Sequence, residues 1–129
     1  MTTFDALADE GFISLTTFRK SGQGVPTTVW VGQDGDAQLV TTPRGSGKVK
    51  RLRRDARVEM VPSSRFGKVD DDTPSVAGLG EILDDDAARE RCNAVMVEKY
   101  GLEYRVMMGL EKLGRKGDDN RLILRLTPR

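Results

Sequence analysis

The chain has no histidine and only one cysteine, Cys92, among its 129 residues. Without histidine it cannot form a Ser-His-Asp or Cys-His triad, a His-ligated haem or a Cys/His zinc site. A lone cysteine excludes an internal disulfide and is typical of a reducing compartment. Acid–base chemistry would therefore fall to carboxylates, lysine, tyrosine or cysteine, unless a bound cofactor supplies the chemistry.

Long apolar runs and a strong net charge are also missing. No stretch approaches the ~20 apolar residues of a membrane-spanning helix, and the first residues lack the basic-then-apolar layout of a signal peptide. Lys and Arg number 21 against 20 Asp and Glu, so the formal net charge is +1. We therefore expect a single cytoplasmic domain over residues 1–129, without a membrane partner.

Alternating β-forming residues predict six short strands. Asp34-Gly35 is a strong signal for a two-residue hairpin between the second and third of them, and Pro62 is expected to end the fourth. Hairpin connections imply antiparallel pairing, and six short strands with few helices favour a small barrel. The predicted strands span residues 12–18, 25–31, 37–42, 57–61, 76–83 and 122–126.

Three helical segments complete a predicted order of β-β-β-α-β-β-α-α-β, after a short helical leader. The first runs from Lys48 to Asp55. The second follows Asp84–Asp86, whose carboxylates suit a helix N-terminus, and a third pattern extends from Gly101 to Leu113. The second helix carries an apolar stripe at helical spacing, formed by Ala88, Cys92, Val95 and Met96.

The densest chemical signal is the segment from Gly45 to Arg57, with six basic residues and one acidic residue. A Gly-Ser-Gly turn that opens a helix presents free backbone N–H groups and the positive end of the helix dipole to an anion. Ser46 adds a hydroxyl and Lys48 a positive charge, which together are typical of a phosphate pocket. The spacing is not that of a P-loop. An equally weighed alternative is that Ser46 is only an N-cap and the basic run a solvated face.

On a helical wheel the same segment is one-sided. Val49 and Leu52 lie together and are expected to face the sheet. The wheel places Lys48 and Arg53 beside that apolar pair. It directs Lys50, Arg51 and Arg54 away from the sheet.

Two glycines, one tryptophan and two threonines each allow either a binding or a structural interpretation. Gly78 and Gly80 fall on one face of the fifth strand, which often marks close approach by a ligand or another backbone. Trp30 is predicted opposite Val29 and Val31, either in core or dimer packing or as an aromatic wall beside a planar ring. Thr41 and Thr42 end the third strand. Either their hydroxyls reach a ligand, or the two residues reflect only the ordinary preference of threonine for strands.

Other binding functions have less support in the sequence. A basic helix can contact nucleic acid phosphates, but the net charge is only +1 and aromatic residues make up only 5% of the chain. We therefore expect no nucleic-acid partner. The acidic runs Asp70–Asp72 and Asp84–Asp86 lack the spacing of a calcium loop, so no metal site is expected.

The hairpin, the strand that ends at Thr42 and the segment from Ser46 to Val58 together resemble the pyridoxamine-phosphate-oxidase-like split β-barrel family. The chain is more closely similar to the flavin/deazaflavin oxidoreductases that use coenzyme F420, which residues 12–20 and 28–30 also resemble. The similarity runs from about Phe12 to the terminal leucine-rich strand. It implies a mainly β, α+β fold, namely a six-stranded antiparallel split β-barrel that forms a homodimer with two cofactor sites at the subunit interface.

The resemblance also implies a set of cofactor-binding residues, although it assigns no catalytic side chain. Lys48 would hold the cofactor phosphate, surrounded by Thr41, Thr42, Ser46 and Gly47. The ring system would be lined by residues of the second strand. A negatively charged tail would meet basic residues of the short helix. The residues that would line the ring are Thr28, Val29 and Trp30, and the residue that would meet the tail is Arg53 or Arg54.

The expected function is hydride transfer between coenzyme F420 and an organic acceptor such as an enone, a quinone or a tetrapyrrole. F420 carries a phosphodiester and a glutamate tail, which suit a basic helix better than the single phosphate of FMN. The C-terminal Arg and His motif for pyridoxal phosphate is absent. Two alternatives stay open: an FMN-binding oxidase or reductase of the same fold, and a non-catalytic carrier of a cofactor or tetrapyrrole.

Overall fold

A computed structural model describes residues 3–106 and 121–129. These residues form strands, one 3-10 helix and two longer helices, and residues 102–106 are also helical. The predicted third helix thus begins as expected, while its predicted residues Met107, Leu110 and Leu113 lie outside the described part of the chain. The elements are a 3-10 helix at Asp5–Asp9, β1 (Phe12–Phe18), β2 (Gly24–Val29), β3 (Gly32–Asp34), β4 (Ala37–Pro43), α1 (Gly47–Arg54), β5 (Arg57–Ser63), β6 (Val76–Leu83), α2 (Asp86–Tyr100) and β7 (Arg121–Pro128).

The strands form one antiparallel sheet in the order β2-β1-β5-β6-β7-β4-β3. Its edge strands β2 and β3 are separated along the chain only by Trp30 and Val31. Because three steps between consecutive Cα atoms span at most about 11 Å, the two edges must lie close together. The sheet therefore curls on itself, which agrees with the predicted antiparallel, barrel-like and mainly β fold.

The sheet has seven strands in the described residues, not the predicted six. The predicted strand from Val25 to Val31 is divided, because β2 ends at Val29 and β3 begins at Gly32. Gly32 lies against the Val95 side chain of α2, in space that a Cβ atom would need. At the break itself, the Val31 backbone N–H donates to the Tyr100 hydroxyl at 3.0 Å and the Val31 carbonyl accepts from Lys99 Nζ at 2.7 Å. These contacts with α2 are absent from any local pattern, so a continuous strand was the wrong prediction.

The fourth predicted strand also differs, since β5 continues through Pro62 to Ser63. β6 pairs only with residues 57–60 of β5, whereas β1 pairs with β5 as far as Ser63. Pro62 therefore lies where β5 borders a single strand. A proline is tolerated at such an edge because the N–H group that it lacks is not needed by a second neighbour.

Both faces of β4 and β7 are largely buried. Successive side chains of a strand point to opposite faces, so Leu39 and Val40 of β4 belong to different hydrophobic clusters. One cluster includes Leu52 of α1, and the other includes Cys92 and Met96 of α2. Cys92, Val95 and Met96 are buried, as the apolar stripe predicted. No helix in residues 3–106 or 121–129 is long and apolar enough to cross a membrane.

The two glycines of β6 are approached by the protein itself. A Cβ atom at Gly78 would lie 2.6 Å from the Met60 side chain and 2.8 Å from the Thr127 carbonyl oxygen. A Cβ atom at Gly80 would lie 3.1 Å from Leu52 of α1. Gly80 thus gives α1 the space to lie on the sheet, which fixes the position of the basic helix.

Candidate anion-binding site

The start of α1 is fastened to the end of β4. The Ser46 backbone N–H donates to the Pro43 carbonyl at 3.1 Å, and the Ser46 and Thr42 hydroxyls are 3.1 Å apart. Ser46 makes no side-chain cap to α1. The first N–H groups of α1 thus receive no cap from Ser46, in an arrangement that suits an anion.

Lys48 lies among positive charges at this helix start. Burial lowers the pKa of Lys48 most strongly, and the charges of Arg51 and Arg121 lower it further. Both arginines therefore lie near Lys48, although they come from two separate elements. Their mutual repulsion is relieved when an anion binds between them. The site is thus electrostatically prepared for a phosphate or carboxylate.

Arg51 lies beside the first turn of α1. Its Nε donates to the buried Thr17 hydroxyl of β1 at 2.6 Å. A Cβ atom at Gly47 would lie 2.7 Å from Arg51 Nη1, so glycine leaves space for the guanidinium. The helical-wheel prediction was wrong here, because Arg51 is half-buried and Arg53 is exposed. Arg51 is three residues from Lys48 and shares its side of the helix.

Arg121, the first residue of β7, connects Thr41 to the site. Its Nε donates to the Thr41 hydroxyl at 2.8 Å, and its Nη2 donates to the Thr41 carbonyl at 3.1 Å. Thr41 therefore positions the Arg121 side chain, and Thr42 positions the Ser46 hydroxyl. Sequence reasoning missed Arg121 because the pairing of Pro43 with Arg121 across β4 and β7 depends on a register that no local signal reveals.

The residues predicted to line the ring lie on β2 and on the crossing that follows it, whereas Lys48 lies on α1. Thr28 pairs with Ser14 of β1, which is three residues from Thr17, the partner of Arg51. Three strand residues span about 10 Å. Thr28 is exposed, whereas the Val29 side chain is buried in the core. The Val29 side chain is therefore not available to a ligand.

Trp30 is half-buried in an aromatic cluster. Its ring stacks on Tyr100 with centroids 4.8 Å apart, and its centroid lies 5.6 Å from that of Tyr104 and 6.1 Å from that of Phe12. The Tyr100 hydroxyl donates to the Val31 carbonyl at 3.0 Å, which holds the cluster against the crossing between β2 and β3. These contacts show the packing role of Trp30. Its role as an aromatic wall stays a prediction.

Arg53 and Arg54 lie on the solvent side of α1, where both are exposed. Arg54 Nη2 donates to the Phe18 carbonyl at 3.1 Å. Nearby, a side-chain hydrogen bond from Arg57 lowers the pKa of Asp55 to about 2. Asp55 thus offsets the charge of Arg57. The exposed Arg53 and Arg54 extend the positive potential from Lys48 along α1.

The described residues offer few groups for other chemistry. Among residues 3–106 and 121–129, no group of three or more Cys, Asp or Glu side chains could hold a metal ion. Burial raises the pKa of the Cys92 thiol to about 12, so it is a poor nucleophile. The positive charge around Lys48 and the uncapped start of α1 are suited to an anion.

Comparison with protein families gives a match over nearly the whole chain. The family model described as pyridoxamine 5'-phosphate oxidase matches residues 3–129. A search of curated proteins finds no match.

Several solved structures share the fold. A conserved hypothetical protein from Mycobacterium tuberculosis is 24% identical, with a TM-score of 0.70 over 100% of this chain and 82% of that one. An F420 reductase is 19% identical, with a TM-score of 0.62 over 98% and 93% of the two chains. The haem storage protein HutZ from Vibrio cholerae is 14% identical, with a TM-score of 0.67 over 95% and 84%. At these identities the likeness shows the fold alone.

Proposed function

The chain belongs to the pyridoxamine 5'-phosphate oxidase family, and we propose that it is an oxidoreductase that uses coenzyme F420. In this proposal it transfers a hydride between F420 and an organic acceptor of the enone, quinone or tetrapyrrole class. The observation that carries the proposal is the start of α1, where Arg51 and Arg121 both place positive charge near Lys48. Similarity of the fold to an F420 reductase supports the choice of cofactor.

The residues present fit the anionic part of this cofactor. The start of α1 would receive the phosphodiester, with Lys48 and Arg51 as its charged partners. Gly47 leaves the space that the Arg51 guanidinium occupies beside these N–H groups. The exposed Arg53 and Arg54 would meet the carboxylates of the glutamate tail. A positive surface that extends along the helix suits this long anion better than a single phosphate.

The protein contributes binding and orientation, while the deazaflavin, when bound, supplies the hydride. We propose that the chain acts as a homodimer with its cofactor sites at the subunit interface. Thr28, the Val29 backbone and Trp30 would line the ring there. No side chain is assigned as a proton donor in this scheme, so the proton comes from solvent.

FMN is the second candidate cofactor, because its terminal phosphate would occupy the same helix start. A haem carrier has less support, although the fold is shared with a haem storage protein. Haem iron is commonly held by histidine, and this chain has none. The buried Cys92, with its raised pKa, is a poor substitute ligand.

The experiment titrates the purified protein separately with F420 and FMN and then supplies reduced F420 with a quinone. We expect binding of F420 that is tighter than that of FMN, and oxidation of the reduced cofactor that depends on the protein. A flavin spectrum in the purified protein, with no binding of F420, would replace F420 by FMN. Binding without oxidation by any acceptor class would instead identify a carrier.

A further inference from the structure

An ion-pair network lies beside the anion-binding site. Asp84, directly after β6, accepts two hydrogen bonds from Arg44, at 2.7 Å from Nη1 and 2.8 Å from Nη2. Its Oδ1 also accepts from Arg89 Nη1 at 2.9 Å. Arg44 lies in the short loop between β4 and α1, two residues before Ser46. Asp84 therefore ties the loop that precedes α1 to the end of a different strand.

Arg89 extends the network to β7. Its side chain is only 13% exposed, and it also pairs with Asp86 at 2.9 Å. Arg89 Nη1 donates to the Arg121 carbonyl at 3.2 Å. Since Arg121 is one of the cations near Lys48, the network holds both flanks of the anion-binding site. Hydrogen bonds from Arg44 and then Arg89 keep the pKa of Asp84 well below its usual range, so Asp84 is charged at neutral pH.

We propose that Asp84 is a positioning residue for this site, acting through Arg44 and Arg89. The inference rests on the proposed function, because it concerns the same anion. Charge alone predicts the opposite effect, since a carboxylate near an anion is repulsive. The fork to Arg44 and the contact to Arg89 offset that charge locally. What Asp84 contributes is therefore the fixed geometry of the loop before α1 and of the Arg121 backbone.

The test replaces Asp84 with asparagine, which keeps its size but removes its charge. We expect the Kd of F420, measured from cofactor fluorescence, and the Kd of inorganic phosphate, measured by calorimetry, both to rise about fivefold. The matched control is Asp34→Asn, which removes the 2.7 Å pair with Arg91. Asp34 ends β3, at the opposite end of β4 from Thr42. We expect this control to leave both dissociation constants unchanged.

Two further variants separate positioning from simple loss of stability. Asp84→Glu retains the charge and should recover most of the affinity. Adding Arg44→Gln to Asp84→Asn should weaken binding little further, because the two residues act as one unit. Affinity for both probes that is unchanged or higher in Asp84→Asn overturns the inference. If Asp84→Asn and Lys48→Ala both leave the two affinities unchanged, the proposed anion-binding site itself is wrong. If only Lys48→Ala weakens binding, the role of Asp84 is refuted and the proposed function stands.

Discussion

Lys48 lies where burial and two neighbouring arginines both oppose its positive charge. Anion binding relieves that repulsion and adds a charge-assisted hydrogen bond. We therefore expect Lys48→Ala to weaken F420 binding by about 1.5–3 kcal/mol, the range for a hydrogen bond to a charged group. Fluorescence titration measures the change, and the circular dichroism spectrum should stay that of the folded protein.

Lys50→Ala is the matched control, since Lys50 is exposed on the same helix. It removes an equal charge without touching the helix start. A much smaller loss of affinity in Lys50→Ala supports a direct contact between Lys48 and the anion. Equal losses in the two variants would instead indicate a diffuse electrostatic effect, and no loss in either would refute the role of Lys48.

Asp55 gives a pH-dependent prediction. The hydrogen bond from Arg57 lowers its pKa to about 2, below the value of about 3.9 in unfolded chains. Its contribution to stability is therefore complete above the unfolded pKa and is lost as pH falls toward 2. In urea titrations we expect Asp55→Asn to be less stable than the parent protein at about pH 6. The difference should shrink as the solution is acidified, and a constant difference would contradict the assignment.

The predictability of single residues depends on how far apart they lie in the chain. Ser46, Gly47 and Lys48 are contiguous, so the sequence predicts their common location. Arg121 joins them only through the pairing of β4 with β7, which no local signal reveals. Arg51 is visible in the basic run, but only its bond to Thr17 shows that it turns inward.

At the scale of elements, α1 packs closely on the sheet because the residue of β6 beneath Leu52 is Gly80, which has no side chain. The same strand also makes its closest backbone contact at Gly78, where a Cβ atom would lie 2.8 Å from the Thr127 carbonyl oxygen. That atom belongs to a paired strand and cannot move easily. Gly78→Ala should therefore lower the free energy of unfolding by about 1–3 kcal/mol, as overpacking does.

Chemical denaturation measures this change, with Gly11→Ala as the control. Gly11 has no heavy atom within 4 Å of an added Cβ and does not have a positive φ. We expect the control to keep or slightly raise the stability, because alanine reduces the freedom of the unfolded chain. If the two substitutions change the free energy of unfolding equally, β6 and β7 can move apart at Gly78 to accommodate the added Cβ atom, and the prediction is wrong.

Most elements can be predicted because their patterns are local. β1 and β6 have the predicted bounds, and α1 begins only one residue before its prediction. The prediction failed where tertiary contacts interrupt a favourable pattern, as Lys99 and Tyr100 do at Val31. It also failed at Pro62, because this residue lies where β5 pairs only with β1, a position that tolerates proline.

At the scale of the whole molecule, the hairpins predict antiparallel pairing, whereas the sheet order depends on contacts between distant segments. The close approach of β2 and β3 follows from the short crossing at Trp30 and Val31. The curl buries one face of β4 and β7, and α2 packs against the other. The start of α1 is held at the end of β4. The anion-binding site is thus a product of the whole sheet, although its most recognisable residues lie in one short segment.

The most direct measurement is a crystal structure of the protein with F420 bound. We expect the phosphodiester at the start of α1, within hydrogen-bond distance of the Gly47 or Lys48 backbone N–H and of the Lys48 ammonium. Arg51 or Arg121 should contact the same phosphate. A cofactor bound with its phosphate elsewhere, and with solvent alone around Lys48, would contradict the proposed site.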